Sequence, residues 1–283
     1  MEILSIQNFS MSIGNAPKII NGSFDIFSGD VVLLTGPNGS GKSTIIKALM
    51  GALFDYDDIE LSCDKARYNN KYDILHNEHD NESFRKNVCY VSQEDEFESD
   101  RVIDCFSNSI NRVIKKNKEK YVFDFVTKYS IQECFVSISE NKQFNRQGRK
   151  LIHSLKLKEN QLTKEERKAI HYLCMSVKKM SGGQKKLTNI FTNLIRYDFC
   201  DLIILDEPLN NLDYNNVRSF SNILTQIYKT KHELTMLIVT HCRSIPIINR
   251  VITIDPEKKE FVEEETYTCS SCFVKIGNDG LYH

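Results

Sequence analysis

The sequence contains no run of about 18 apolar residues, so none of it is expected to cross a bilayer as a helix. The opening stretch Met1-Glu2-Ile3-Leu4-Ser5-Ile6-Gln7 carries an early acid and too short an apolar core for a signal peptide. Net charge is lacking too. Lys+Arg 37 against Asp+Glu 38 leaves −1, which gives no bulk electrostatic reason for a nucleic-acid or anionic-membrane partner and leaves room only for a local basic face. The nine cysteines, at 63, 89, 105, 134, 174, 200, 242, 269 and 272, lack the dense spacing of a secreted disulfide framework, and their number is odd. A reducing, cytosolic setting is expected. There is no internal repeat and no long heptad arm. What is present is 283 residues, 41% of them hydrophobic and 27% charged, enough for a sizeable core in one domain or two, which excludes disorder and a small disulfide scaffold.

Val31-Val32-Leu33-Leu34 is a short apolar run ending in a Gly-rich turn, after which Ile45, Ile46, Leu49, Met50 and Leu53 recur at helical spacing. Leu202-Ile203-Ile204-Leu205 and Leu237-Ile238-Val239 read as two further strands without alternation, as a parallel sheet covered on both faces requires. Val217, Phe220, Ile223, Leu224 and Ile227 between them mark a crossover helix, so the back half is a βαβ unit. Residues 94 to about 176 differ: they are polar, and the capping box Thr163-Lys164-Glu165-Glu166 opens a helix with Ile170, Leu173, Cys174 and Val177 on one stripe. This is read as a helical insert. Residues 51–100 hold 5 Lys/Arg and 14 Asp/Glu, residues 101–170 hold 16 and 8, and the excess suits either solvated helix faces or a basic docking face.

Gly36-Pro37-Asn38-Gly39-Ser40-Gly41-Lys42-Ser43, followed by Thr44, matches G-x-x-x-x-G-K-[ST] between a strand and a helix, the context that gives the motif its meaning. Glycines let backbone N–H groups wrap phosphate oxygens, and the helix start adds a positive dipole end. Lys42 then reaches the β- and γ-phosphates, and the Ser43 hydroxyl is placed to ligate Mg²⁺. Leu202 to Leu205 runs into Asp206-Glu207-Pro208, and adjacency sends the two carboxylates to different places. Asp206 can hold Mg²⁺ through its water shell while Glu207 polarises the attacking water as general base. Met180-Ser181-Gly182-Gly183-Gln184 precedes an amphipathic helix bearing Leu187, Ile190, Phe191, Leu194 and Ile195, which makes a second phosphate-ready helix start.

With these residues the chain resembles the ATP-binding cassette (ABC) ATPases, whose signature Leu-Ser-Gly-Gly-Gln stands here with Met180 in first place. Tyr90-Val91-Ser92-Gln93 resembles the Q-loop, with Gln93 contacting Mg²⁺ or the attacking water. Leu209-Asn210-Asn211-Leu212-Asp213 resembles the D-loop, and Val239-Thr240-His241 ends on the switch histidine. The resemblance spans roughly residues 1–255. It implies an α/β P-loop NTPase core of ABC type over 1–93 and 181–260, with an antiparallel N-terminal β-region, a helical signature subdomain over 94–180 and a tail over 261–283. It also implies an ATPase using ATP and Mg²⁺ as a head-to-tail pair of identical or different cassettes. Each ATP lies between one Walker A loop with Asp213 nearby and the other cassette's Ser181, Gly182, Gly183 and Gln184.

The chain departs from the family at four places. Ile13 stands where an aromatic residue usually stacks on adenine, so plain apolar contact replaces stacking and the choice between ATP and GTP stays open. Gln184-Lys185-Lys186 lacks the Arg-rich continuation of many transporter subunits. Gln93 and Ser181 lie 181 − 93 = 88 residues apart, which enlarges the subdomain that chooses the partner. In the tail, Cys269, Cys272 and His283 give C-x₂-C-x₁₀-H, three ligands where zinc wants four, so the pair is incidental, a redox-sensitive tail, or a metal site completed by a cysteine from elsewhere or from a second chain. The leading expectation is the cytoplasmic ATP-binding subunit of an ABC transporter, held at the inner face of the membrane by a separate membrane-spanning subunit. The alternative is a soluble, non-transport ABC ATPase that remodels a protein or nucleic-acid complex, favoured by the long insert, its basic balance and the Cys-rich tail.

Overall fold

The computed structural model describes residues 1–53, 58–94, 97–135, 143–231, 233–240 and 245–264. It divides into two compact units: one holds Met1–Gln93, Cys200–Leu209 and the chain from Lys231 on, the other Glu94–Phe199 and Asn210–Thr230. The sequence division counts 181–260 with the nucleotide core, whereas the helices over 182–194 and 214–230 fall in the second compact unit.

The first unit runs β1 (Glu2–Ile13), β2 (Ala16–Phe27), β3 (Val31–Thr35), α1 (Lys42–Leu49), β4 (Ile59–Ser62), β5 (Lys65–Tyr68), β6 (Tyr72–Asp73), α2 (Glu78–Asn87), β7 (Val88–Val91), β8 (Leu202–Asp206), β9 (Thr235–Val239), β10 (Arg250–Ile254) and β11 (Phe261–Glu264). β1 and β2 form a hairpin closing at Gly14 with φ +55°, a conformation glycine adopts without strain. β4 and β5 pair with β1 and β6 with β5, all antiparallel, which gives the expected N-terminal β-region.

The second sheet has the order β11-β10-β3-β9-β8-β7, parallel except at β11. β3, β8 and β9 are buried at every residue, which is why their sequences show unbroken apolar runs. Each Val, Leu or Ile so buried contributes about 1.5–3 kcal/mol. The registers Leu34↔Val239, Asp206↔Val239 and Val91↔Leu205 bring the C-terminal ends of β3, β9, β8 and β7 to one edge. The motif-bearing loops therefore leave from that edge, where open α/β sheets bind ligands.

Two polar contacts fix this arrangement. Asn81, in α2, is 1% exposed and donates through Nδ2 to the carbonyls of Leu49 (2.8 Å), at the end of α1, and of Ile74 (2.7 Å). Tyr68 Oη donates to Asp201 Oδ2 at 2.6 Å just before β8, tying the antiparallel sheet to the parallel one.

The second unit holds α3 (Val102–Ser109), α4 (Lys118–Lys128), α5 (Arg146–Ser154), α6 (Lys164–Leu173), α7 (Gly182–Leu194) and α8 (Tyr214–Thr230). Thr163 and Glu166 form the expected capping box on α6. Aromatic side chains contribute to its interior: Phe135 stacks on Tyr172 at 4.3 Å between centroids, and the buried hydroxyls of Tyr129 and Tyr197 bond at 2.8 Å. Leu187, Ile190, Phe191, Leu194 and Ile195 are all buried, as the helical spacing predicts.

Candidate functional site

The loop from Gly36 to Gly41 is shaped by backbone that side chains resist. Gly36 has φ +147°, and a Cβ there would lie 3.2 Å from Ile254 Cβ. Gly41 has φ +96°, and a Cβ would lie 2.5 Å from Met11 Cε and 3.5 Å from Lys18 Cβ. Gly41 opens α1, its carbonyl accepting the first intrahelical bond from Ile45 N. The N–H groups of Lys42, Ser43 and Thr44 thus have no intrahelical acceptor and form an anion-seeking helix start. Pro37, Asn38 and Gly39 are exposed, while the Ser40 hydroxyl is buried with no hydrogen-bond partner among the described residues.

Lys42 is 6% exposed, and its ammonium donates to the carbonyls of Gly36 and Pro37, each at 2.9 Å. Burial lowers its pKa from the ordinary lysine value, opposed by the charges of Glu207 and Asp206. Ser43 Oγ donates to Asp206 Oδ1 at 2.8 Å, so the first hydroxyl of α1 meets the last residue of β8. Asp206 is fully buried, and Glu207 follows with φ +48° and its N–H bonded to Val239 O at 2.8 Å. Gln93 leaves the end of β7, exposed, on the same sheet edge, and Thr240 is buried just beyond β9. The next residue, His241, lies outside the described residues, as do Cys269, Cys272 and His283. Ile13 is half-buried at the tip of the β1–β2 hairpin, opposite Ala16 and Ile59.

In the second unit, Ser181 caps α7. Its hydroxyl accepts from Gln184 N at 3.4 Å, while Gln184 Oε1 accepts from Ser181 N at 3.1 Å. Space beside Gly182 is open, whereas a Cβ on Gly183 would lie 3.3 Å from Asn216 Nδ2 and 3.7 Å from Asn211 O. Asp213 sits at the start of α8, and Asn216 occupies both its carboxylate oxygens, donating N to Oδ1 and Nδ2 to Oδ2, each at 2.9 Å. In the chain by itself Asp213 is therefore a helix cap that also holds Asn216 against the glycine of the signature.

Residues 19–210 match the sequence model of the ABC transporter family, more than half of the chain. The chain belongs to that family. Among curated relatives, the zinc uptake system ATP-binding protein ZurA of Listeria innocua is 28% identical over 241 residues, covering 85% of this chain and 77% of the relative. The high-affinity zinc uptake system ATP-binding protein ZnuC of Bacillus subtilis is 23% identical over 243 residues, covering 85% of each. The same fold is seen in the solved structure of cbiO1 from Clostridium perfringens, described as part of the ABC transporter complex cbiONQ. That chain superposes with a TM-score of 0.64 at 18% identity, over 92% of this chain and 87% of the other. As an ABC ATP-binding domain the chain is an ATPase, and its core is an α/β P-loop fold. No helix among the described residues is long and apolar enough to cross a membrane.

The oxygen donors fit Mg²⁺. The Ser43 hydroxyl and Asp206 carboxylate meet at one point, with the Gln93 amide leaving the same edge, and Mg²⁺ is ordinarily held by one or two such groups together with substrate phosphates and water. Sequence reasoning missed Lys18, Met11 and Asn216. A D-x-x-N step at the start of a helix is a readable cap signal for Asn216. The approach of β1 and β2 to Gly41 has no local signal at all.

Proposed function

We propose that this chain is the Mg²⁺-dependent ATP-hydrolysing subunit of an ABC transporter, working as one of two head-to-tail cassettes. The observation that carries the reading is the 2.8 Å meeting of Ser43 Oγ with Asp206 Oδ1, which joins the phosphate loop and the paired carboxylates in one site beside Lys42. Lys42 exchanges the Gly36 and Pro37 carbonyls for β- and γ-phosphate oxygens, and the N–H groups opening α1 hold the rest of the polyphosphate. Mg²⁺, held by Ser43, Asp206 and Gln93, supplies charge neutralisation at the phosphates. Glu207 accepts a proton from water as the water oxygen bonds to the γ-phosphorus and the bond to the ADP oxygen breaks, giving ADP and phosphate. Ser181, Gly182 and Gly183 of a second cassette close over the γ-phosphate, which offers that charge a second helix start. His241 is assigned to the same γ-phosphate by its place after β9, and Ile13 to the base.

Relatives named for zinc uptake and a solved neighbour named as part of a transporter complex support the transport assignment, with a membrane-spanning partner holding the cassette at the cytoplasmic face. Glu207→Gln tests the catalytic part. The amide keeps the fit but takes no proton, so ATP should bind, turnover should vanish, and a dimer should accumulate on size-exclusion chromatography with ATP and Mg²⁺. A variant hydrolysing at the parent rate would remove Glu207 as the base.

One observation favours the second reading, a remodelling ATPase acting on nucleic acid. Arg146, Arg149 and Lys150 are all exposed on α5 and have no carboxylate partner among the described residues.

A further inference from the structure

Lys18 stands beside the phosphate loop and has no part in the scheme above. It lies where the β1–β2 register slips: Met11 faces Ile19 but Ser12 faces Pro17, so Lys18 is the extra residue of a bulge. A bulge bends the strand and re-aims the side chain it carries, a device common next to active sites. The re-aimed stem lies against the loop, with Cβ and Cγ 3.5 and 3.9 Å from where a Cβ of Gly41 would be. Two carbons and the nitrogen remain beyond Cγ, each bond about 1.5 Å, so the ammonium reaches roughly 4 Å farther. Lys18 is half-buried, and no carboxylate pairs with it among the described residues.

The loop thus has two unlike flanks. On the β8 side Ser43 meets Asp206, and Glu207 lies within electrostatic range of Lys42. On the β2 side stand Met11 and Lys18 against Gly41, an apolar tip and a cation. A polyphosphate whose γ end occupies the carboxylate flank, where metal and water are handled, presents its α end to the other.

We propose that Lys18 is a nucleotide-binding residue whose ammonium contacts the α-phosphate of the nucleotide seated on the loop. The proposal rests on the ATPase reading of that loop and adds a cation to it. Contact with a phosphate common to all nucleotides makes Lys18 a determinant of affinity, blind to the base.

The test is calorimetric titration of parent, Lys18→Met, Lys18→Arg and Lys42→Ala with ATP, GTP and ADP in Mg²⁺. Lys18→Met keeps the stem and removes the charge, so it should weaken all three nucleotides by the same factor, about ten- to a hundredfold for a lost charge-assisted bond. It should also bind less salt-sensitively than the parent, with an unchanged melting temperature. Lys18→Arg should recover most of the loss. Equal affinities for parent and Lys18→Met overturn the proposal, as does a loss confined to one base, which would make Lys18 a base reader. A parent that binds no nucleotide overturns the loop reading itself, whereas a parent that binds and a Lys42→Ala that does not leave that reading standing while Lys18 is judged alone.

Discussion

Lys42 carries its charge in a place that resists charge: burial pushes its pKa down, while Asp206 and Glu207 pull it back up. Among the described residues its ammonium donates to two loop carbonyls, which phosphate oxygens outcompete by virtue of their charge. Lys42→Ala is therefore expected to abolish hydrolysis and weaken ATP binding with little loss of melting temperature, since it vacates two carbonyls of an accessible loop. Unchanged turnover in the purified variant would count against the loop as the ATP site. Glu207 holds a different kind of tension. A non-glycine residue in the left-handed region costs of order 1–3 kcal/mol, and Glu207 bears that cost at φ +48° next to the buried Asp206. Glu207→Gly should then melt at a higher temperature than the parent while losing turnover, a trade of stability for function readable by paired melting and ATPase assays. Residues 36–43 were legible because loop, glycines, lysine and hydroxyl are contiguous. Lys18 and Asn216 were not, because their importance lies in contacts with Gly41 and Gly183 made across 23 and 33 positions of chain.

At the scale of elements, what could be read in advance was what burial writes into sequence. β3, β8 and β9 are buried at every position and show it as unbroken apolar runs, and α7 and α8 show their buried stripes at helical spacing. β4, β5 and β6 escaped notice because they are two to four residues long and half-exposed, leaving neither run nor alternation long enough to read. The capping box on α7 was visible only as the signature motif. Its loss in Ser181→Ala should cost about 1 kcal/mol of stability, measurable by urea denaturation, on top of any effect on turnover. The second unit also carries a buried thiol, Cys105, and two half-buried ones, Cys134 and Cys174. Burial raises Cys105 and Cys174 to about 11 and Cys134 to about 12, from an ordinary value of 9.0. These groups are neutral in both states below pH 9. Above it the unfolded chain ionises first, so stability is full below about pH 9 and falls as pH climbs toward the folded values. The urea midpoint should therefore drop between pH 8 and pH 10.5. At pH 8 iodoacetamide should alkylate Cys105 and Cys174 about a hundredfold, and Cys134 about a thousandfold, more slowly in the folded than in the unfolded protein, because it reacts with the thiolate. Equal labelling rates by mass spectrometry would mean the three sites open readily.

For the whole molecule the question is what ATP hydrolysis is coupled to, and charge on the helical unit separates the two answers. A net charge of −1 gives no general attraction to polyanions, so any nucleic-acid binding must come from a local cluster. α5 offers one: Arg146, Arg149 and Lys150 recur at helical spacing, all exposed. The phosphate loop and its carboxylates belong to the other compact unit, so replacing these three residues by Glu should leave basal ATPase activity unchanged. If the target is nucleic acid, the same change should abolish binding, because affinity for a polyanion falls steeply with each lost phosphate contact and with added salt. If the chain powers a transporter, tagged protein should instead co-purify in detergent with a protein of several membrane spans, and the reversal should matter little to that recovery. The family match and the relatives named for zinc uptake favour the second outcome. Recovery of soluble partners alone, with salt-sensitive nucleic-acid binding that the triple substitution removes, would reverse the assignment while leaving the ATPase site as described.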